Sequence, residues 1–244
     1  GPAFEGAGVV SGMRATAGAI EEVFIDRDTA EPTYRTIGDQ PPRGICGSGM
    51  ISLLGEMFIT GVIDKSGRLN QHRQTPRIRV GEHGPEYVVA WARETQDQAF
   101  ERTLERHDIV LTEADIQNLI RAKGAIYAGF NVLATSVGLT MADIERFFIG
   151  GAFGQYIDIE KAIQIGLLPD VPWDRFTYLG NTSVQGAYQS LLCRDHRARV
   201  AEIASKMTYL ELSADNSFMD SFTSALFLPH TDLDSFPSVK AVLQ

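Results

Sequence analysis

Phe148-Ile149-Gly150-Gly151-Ala152-Phe153-Gly154 is the stretch on which the reading of the fold turns. Together with Arg146 and Phe147 before it, its apolar, β-favouring start reads as a buried strand. Paired glycines end that strand, and a missing Cβ lets backbone approach a flat or phosphorylated ligand. In open α/β sheets ligands sit outside the carboxyl ends of strands, which is where this loop would lie. The pattern is not GxGxxG, and no GxxxxGK[ST] occurs in the chain, so dinucleotide-fingerprint and P-loop readings fail on residues. A glycine pair taken alone reads more readily as a structural turn.

Outward from this loop the same arrangement recurs. Asp158 caps a helix, Ile159 to Ile165, that stops at Gly166. A strand (Phe176 to Leu179), Gly180-Asn181 and a helix (Thr182 to Leu192) repeat the strand–glycine–helix order. Helices are predicted over 195–206 and 217–226, with an extended piece over 208–212 and an irregular tail, 230–244. On the other side, Thr112-Glu113-Ala114-Asp115 reads as a capping-box start of a helix running to about Val137. Gly124 and Gly129 lie inside it, each costing about 1 kcal/mol relative to alanine, so a close approach is predicted there. Residues 64–108 are more polar and read as a surface insertion carrying a short hairpin, with a short strand after it at 109–111. Ahead of them come a strand over 18–26, its partner over 34–37, and Gly44-Ile45-Cys46-Gly47-Ser48-Gly49 leading into an apolar helix to about Thr60. Strands alternating with helices make the chain α/β.

The helix start at Gly47, Ser48 and Gly49 offers free N–H groups and a positive dipole end, so it is a candidate anion site. A glycine-rich cap packed on a neighbour reads equally well, because no convincing strand precedes it and Ser52 replaces a third glycine. Lys123 and Arg121, on the long helix, could reach a nucleotide, although a solvated face is the simpler reading. Glu21 and Glu22 alternate across a strand and cannot pair as acid and base. Asp115, Asp143 and Asp158 are accounted for as helix caps.

Composition narrows the classes. The chain has 244 residues, 44% hydrophobic and 22% charged, with net charge −9, a globular composition. The acidic balance argues against nucleic-acid binding, which needs a basic stripe. No apolar run approaches the ~18 residues of a membrane span, and the first residues lack a signal peptide's pattern. A soluble, cytoplasmic protein is expected. Cys46 and Cys193 form no CxxC pair and the five histidines show no ligand spacing, so neither a metal site nor an iron–sulfur cluster is expected on this chain.

Several blocks, in order, resemble one family. They are Gly1-Pro2-Ala3-Phe4-Glu5-Gly6-Ala7, Gly12-Met13-Arg14-Ala15 with Gly18-Ala19-Ile20-Glu21, Gly44 to Gly49, Ala122-Lys123-Gly124-Ala125-Ile126, and Gly150 to Gly154. Ile165-Gly166-Leu167-Leu168-Pro169, Gly180-Asn181 with Gly186-Ala187, and Glu211-Leu212-Ser213 follow. Over residues 1–229 the chain is similar to the C-terminal domain of the reductive activators of corrinoid proteins. The resemblance implies one actin-like or ribonuclease H-like ATPase lobe, a mixed sheet flanked by helices, of the acetate-kinase, sugar-kinase, heat-shock-chaperone and actin superfamily. It implies an ATP-driven return of an inactive Co(II) corrinoid to Co(I) in a methyltransferase system, the electron coming from a two-iron two-sulfur domain elsewhere in the parent. ATP or ADP with Mg²⁺ is the implied ligand of the complete parent, and a corrinoid protein the implied partner. It places adenosine on Gly150, Gly151, Ala152, Phe153 and Gly154, raises Lys123 as a neighbour of the adenine, and matches Gly180-Asn181 to an interdomain hinge. The superfamily holds phosphates with two DxGT hairpins, and no DxGT occurs here. The chain therefore reads as one incomplete lobe that does not hydrolyse ATP alone. Two other readings stay open: a non-catalytic module for docking a corrinoid protein or for homodimerisation, and a lobe of a small-molecule kinase.

Overall fold

Residues 2–95, 107–151 and 153–244 are described by a computed structural model. Ala152 and 96–106, part of the expected insertion, lie outside the described residues.

Strand β1 (Ala19–Ile25) buries Ile20, Val23 and Ile25. It pairs antiparallel with β2 (Pro32–Thr36) and parallel with the two-residue β3 (Gly44–Ile45). A strand does therefore precede Gly47, too short to be read from its residues. Helix α1 (Gly47–Ile59) buries 11 of its 13 residues, as a helix apolar on nearly every side must. Its contact with β1 runs along 49, 52 and 56, which fall on one face. Gly49 has room only for hydrogen against the Ile20 carbonyl. The Ser52 hydroxyl both accepts from the Val23 N–H (3.0 Å) and donates to its carbonyl (2.9 Å). Glu56 accepts the Ile25 N–H at 2.8 Å. Two polar side chains thus stand in for ladder partners of a strand edge, satisfying groups that would otherwise be buried unpaired.

A second sheet, β4 (Ile78–Gly81), β5 (Gly84–Ala90) and β6 (Ile109–Thr112), is antiparallel in that order. Tyr87, Val88, Val89 and Ala90 are fully buried, and the Tyr87 hydroxyl donates to the Ala30 carbonyl at 2.8 Å. This corrects the surface reading of 64–108 at β5, which joins the core, while β4 stays an exposed edge with Val80 73% exposed. The turn and edge residues around it supply the polar composition, while the central strand is apolar.

Helix α2 (Glu113–Ser136) begins with the predicted capping box between Thr112 and Asp115. Asp115 also accepts the Val10 N–H at 3.1 Å, tying the N-terminal loop to the helix start. Gly124 meets the Ala225 carbonyl, 3.1 Å from where a Cβ would stand, whereas Gly129 faces open space. The approach is therefore at Gly124 alone, against the segment after α6 (Asn216–Ser224).

Strands β7 (Phe147–Gly150) and β8 (Phe176–Gly180) form a two-stranded parallel sheet. The buried reading of β7 is corrected, since Phe148 is 60% exposed. Helix α3 (Ile159–Gln164) starts at the predicted Asp158 cap, whose carboxylate accepts the Lys161 N–H at 3.0 Å. Its Lys161 pairs with Glu56 of α1, both largely buried. Helices α4 (Thr182–Leu192) and α5 (Arg194–Lys206) bury no residue. The piece 208–212 pairs with no strand among the described residues. The tail is not irregular: α7 (Pro237–Leu243) forms, and Phe236 and Val239 enter the core. Proline at its first position and two well-spaced apolar residues are enough for a short helix once a cavity accepts them.

Candidate functional site

The predicted glycine segments come together through one aromatic ring. A side chain on Gly47 would collide with the Phe4 carbonyl and with the ring of Phe153, so Phe153 packs directly on the backbone at the start of α1. Between them opens a cleft of about 800 Å³, walled by Phe4, Met13, Ile37, Phe153 and Tyr156 with Gly47 and Ser48 at one end. Arg14, Glu5 and Glu21 bring charge to it. A smaller recess beside it shares Glu21, Ser48 and Tyr156 and adds Glu22, Arg35 and Asp158. Arg35 pairs with both Glu21 and Glu22, each at 3.2 Å. Strict alternation would separate the two carboxylates, but a register irregularity between Ile20 and Glu22 brings both to one guanidinium.

At the cleft end of α1 the cap residue, Cys46, accepts no first-turn backbone N–H with its side chain. Its thiol lies 3.3 Å from the Ile20 carbonyl and 3.3 Å from the Ser48 hydroxyl. The first N–H groups of a 13-residue helix, and the positive end of its dipole, therefore lie where Gly47 and Ser48 line the cleft.

The glycine loop itself is fixed from β8. The Gly151 N–H donates to the Gly180 carbonyl at 2.7 Å, and the Tyr178 hydroxyl donates to the Ile157 carbonyl at 2.6 Å. Burial, with Asp158 nearby, pushes that hydroxyl's pKa up. Gly151 has φ +104°, and nothing lies within 4 Å of where its Cβ would be. Gly150 and Gly154 are closed in, by the Thr182 hydroxyl at 2.8 Å and the Ile149 methyl at 2.7 Å respectively. Of the predicted set, then, Phe153, Gly47 and Ser48 line the cleft and Gly151 presents open backbone. Gly49, Gly150 and Gly154 serve packing, and Ala152 is outside the described residues.

Lys123 stands elsewhere. It has no exposed surface, and its ammonium donates to the Phe227 and Pro229 carbonyls at 2.6 and 2.7 Å. Burial pushes its pKa down to about 7. The solvated face read from sequence and the contact with a ligand both give way to this arrangement, because the segment 225–229 covers that side of α2.

The residues that sequence reasoning missed are Met13, Arg14, Ile37 and Tyr156. The N-terminal block reads as a turn-rich entry, and only contact across the fold places it opposite Phe153. Its signal was present in the density of glycine at 1–18, which lets loops pass close to a helix end.

With this geometry in hand, the comparisons give the family. Residues 1–240 match the model of the C-terminal domain of RACo, the ASKHA domain. The chain belongs to that family. This ASKHA domain is 35% identical over 229 residues to the corrinoid activation enzyme RamQ of Eubacterium limosum, covering 91% of the chain and 37% of that protein. It is 28% identical over 240 residues to a [Co(II) methylated amine-specific corrinoid protein] reductase of Methanosarcina barkeri, covering 89% and 39%. A solved reductive activator for corrinoid, iron-sulfur protein superposes with TM-score 0.90 at 52% identity, over 98% of the chain and 37% of that structure. The ASKHA domain thus spans well under half the length of these relatives. Among the described residues no helix is long and apolar enough to cross a membrane.

Proposed function

We propose that the chain is the nucleotide-binding C-terminal lobe of an ATP-dependent reductive activator that returns Co(II) corrinoid proteins of methyltransferase systems to Co(I). The observation that carries the reading is the packing of Phe153 on Gly47, which makes one cleft of two glycine segments that the sequence keeps about a hundred residues apart. Aromatic walls suit a purine face. The α1 N-terminus, Ser48 and Arg14 suit anionic oxygens. Gly151 lets a ligand lie against backbone.

Two cysteines on different elements, and no grouping of three His, Cys, Asp or Glu side chains able to hold a metal ion among the described residues, do not fit an iron–sulfur cluster or a dedicated metal cage. In this reading the electron source and the Mg²⁺ ligands belong to other parts of a longer polypeptide. The test is titration with ADP, followed by calorimetry, on the domain and on the longer protein that carries it. Saturable binding that Phe153→Ala weakens about tenfold or more, a loss of about 1.4 kcal/mol, supports the reading. Binding unaffected by Phe153→Ala and by Gly151→Val removes the nucleotide from this cleft.

A second reading, a docking or dimerisation surface, is favoured by the apolar side chains of α4 and α5 that face solvent, Tyr188, Leu191 and Leu192 among them. It predicts partner binding insensitive to Gly151→Val.

A further inference from the structure

A buried ammonium and an imidazole meet where the C-terminal segment lies on α2. Lys123 holds the Phe227 and Pro229 carbonyls. In the next residue the Nδ1 atom of His230 accepts the Asp232 N–H at 3.0 Å. The His230 ring stands 5.4 Å from Tyr127 of α2 and 6.1 Å from Phe236, and those two rings are 5.7 Å apart. Phe236 is fully buried and leads directly into α7. The Nδ1 lone pair that takes the Asp232 N–H is the one a second proton would occupy. A histidinium at this position therefore loses the bond that shapes the turn, and it faces an ammonium.

The charged and titratable neighbours are few. Lys123 and the Tyr127 ring face the imidazole from α2, and Asp232 from its own segment. Asp232 favours the protonated ring, but its carboxylate is exposed and already accepts from Asp234 and Ser235. Farther out, Asp234 pairs with Lys240, and Asp170 accepts the Ser238 N–H at 2.7 Å.

We propose that residues 230–244 form a pH-sensitive latch, docked on α2 while His230 is neutral and released when it takes a proton. The direction follows from proton affinity. Burial first, then Lys123, holds the docked imidazole below its ordinary range, so the free segment binds the proton more tightly. The histidine's part of the grip is complete above a free histidine's pKa of about 6.5 and is lost as pH falls through the docked-state value. Lys123 acts in the same sense at higher pH, since its docked pKa of about 7 lies below that of a free lysine. The Pro229 carbonyl also packs against Gly166, at the turn that ends α3, so the latch shares a wall with the segment leading out of the Phe153 loop.

Amide hydrogen exchange read by mass spectrometry on the whole protein, from about pH 8 to about pH 5 and corrected for intrinsic rates, tests this. In the native sequence, opening of 237–243 should rise by up to about tenfold per pH unit from about pH 6.5 down to the docked-state value and level off below it, while α1 stays protected. His230→Asn keeps an acceptor near the Nδ1 position without titrating, and His230→Phe keeps the ring without the acceptor. Both should flatten the pH dependence below about pH 6.5, the second with a higher opening at neutral pH. A flat native profile, an unchanged slope in both variants, or loss of α1 protection in step with α7 would each overturn the latch.

Discussion

At φ +104° and with no neighbour within 4 Å, Gly151 needs to be glycine for its backbone conformation and leaves a face of main chain uncovered. Gly151→Val should cost about 1–3 kcal/mol of stability through strain alone. Its effect on ADP affinity, measured under conditions where the variant is folded, should exceed that of Gly154→Ala, whose methyl meets Ile149, its side chain first. Gly47 is constrained differently, since any side chain there must displace the Phe4 backbone or the Phe153 ring. Gly47→Ala should destabilise by about 1–3 kcal/mol, as overpacking does, and a urea titration against the native chain reads it directly. Both glycines are visible in the sequence. What they touch is not, because the ring that fills the space over Gly47 comes from more than a hundred positions away.

Among the elements, α1 and α3 are joined by Glu56 and Lys161, a buried pair whose carboxylate also accepts the Ile25 N–H. Lys161→Met leaves Glu56 buried without its counter-charge and should cost about 3 kcal/mol or more. The double change Glu56→Gln with Lys161→Met should cost less than the sum of the singles, which a double-mutant cycle by chemical denaturation would show. Helix α7 is a second case. Phe236→Ala removes a fully buried ring from between α2 and the tail and should cost about 3–5 kcal/mol. An unchanged melting temperature would mean that the tail contributes nothing to the core. Capping boxes at Thr112 and Thr140 and the Asp158 cap were legible, since they are local bonds over three residues. The seven-residue α7 was not legible, because a helix that short exists only through the surface it meets.

Over the whole molecule, apolar exposure is uneven. Val137, Phe148, Val184, Tyr188, Leu191, Leu192, Met207 and Tyr209 are each more than half exposed, and all lie in the stretch from the end of α2 to just past α5. The two-stranded parallel sheet packs Phe147, Ile149 and Phe176 against the core and leaves Phe148 exposed, which is unusual because parallel strands are normally covered on both sides. The docking or dimerisation reading would use such side chains. Leu191→Asp and Leu192→Asp should leave the melting temperature of the chain nearly unchanged, within about 0.5 kcal/mol, and lower its binding of a hydrophobic dye. A large loss of stability would mean that these side chains already pack within the chain.

Residue order alone determined the α/β alternation, the helix caps, the strand ending in Gly150-Gly151, and the absence of fingerprint and P-loop motifs, because each depends on neighbours within a few positions. Tertiary structure decided that Lys123 belongs to the tail, that the strand Gly84–Ala90 is core, and that Arg14 and Tyr156 share a cleft with Ser48. Those outcomes depend on which apolar surfaces meet and which carbonyls they leave in need of a donor, and contacts across a hundred residues leave no periodic trace in a single chain.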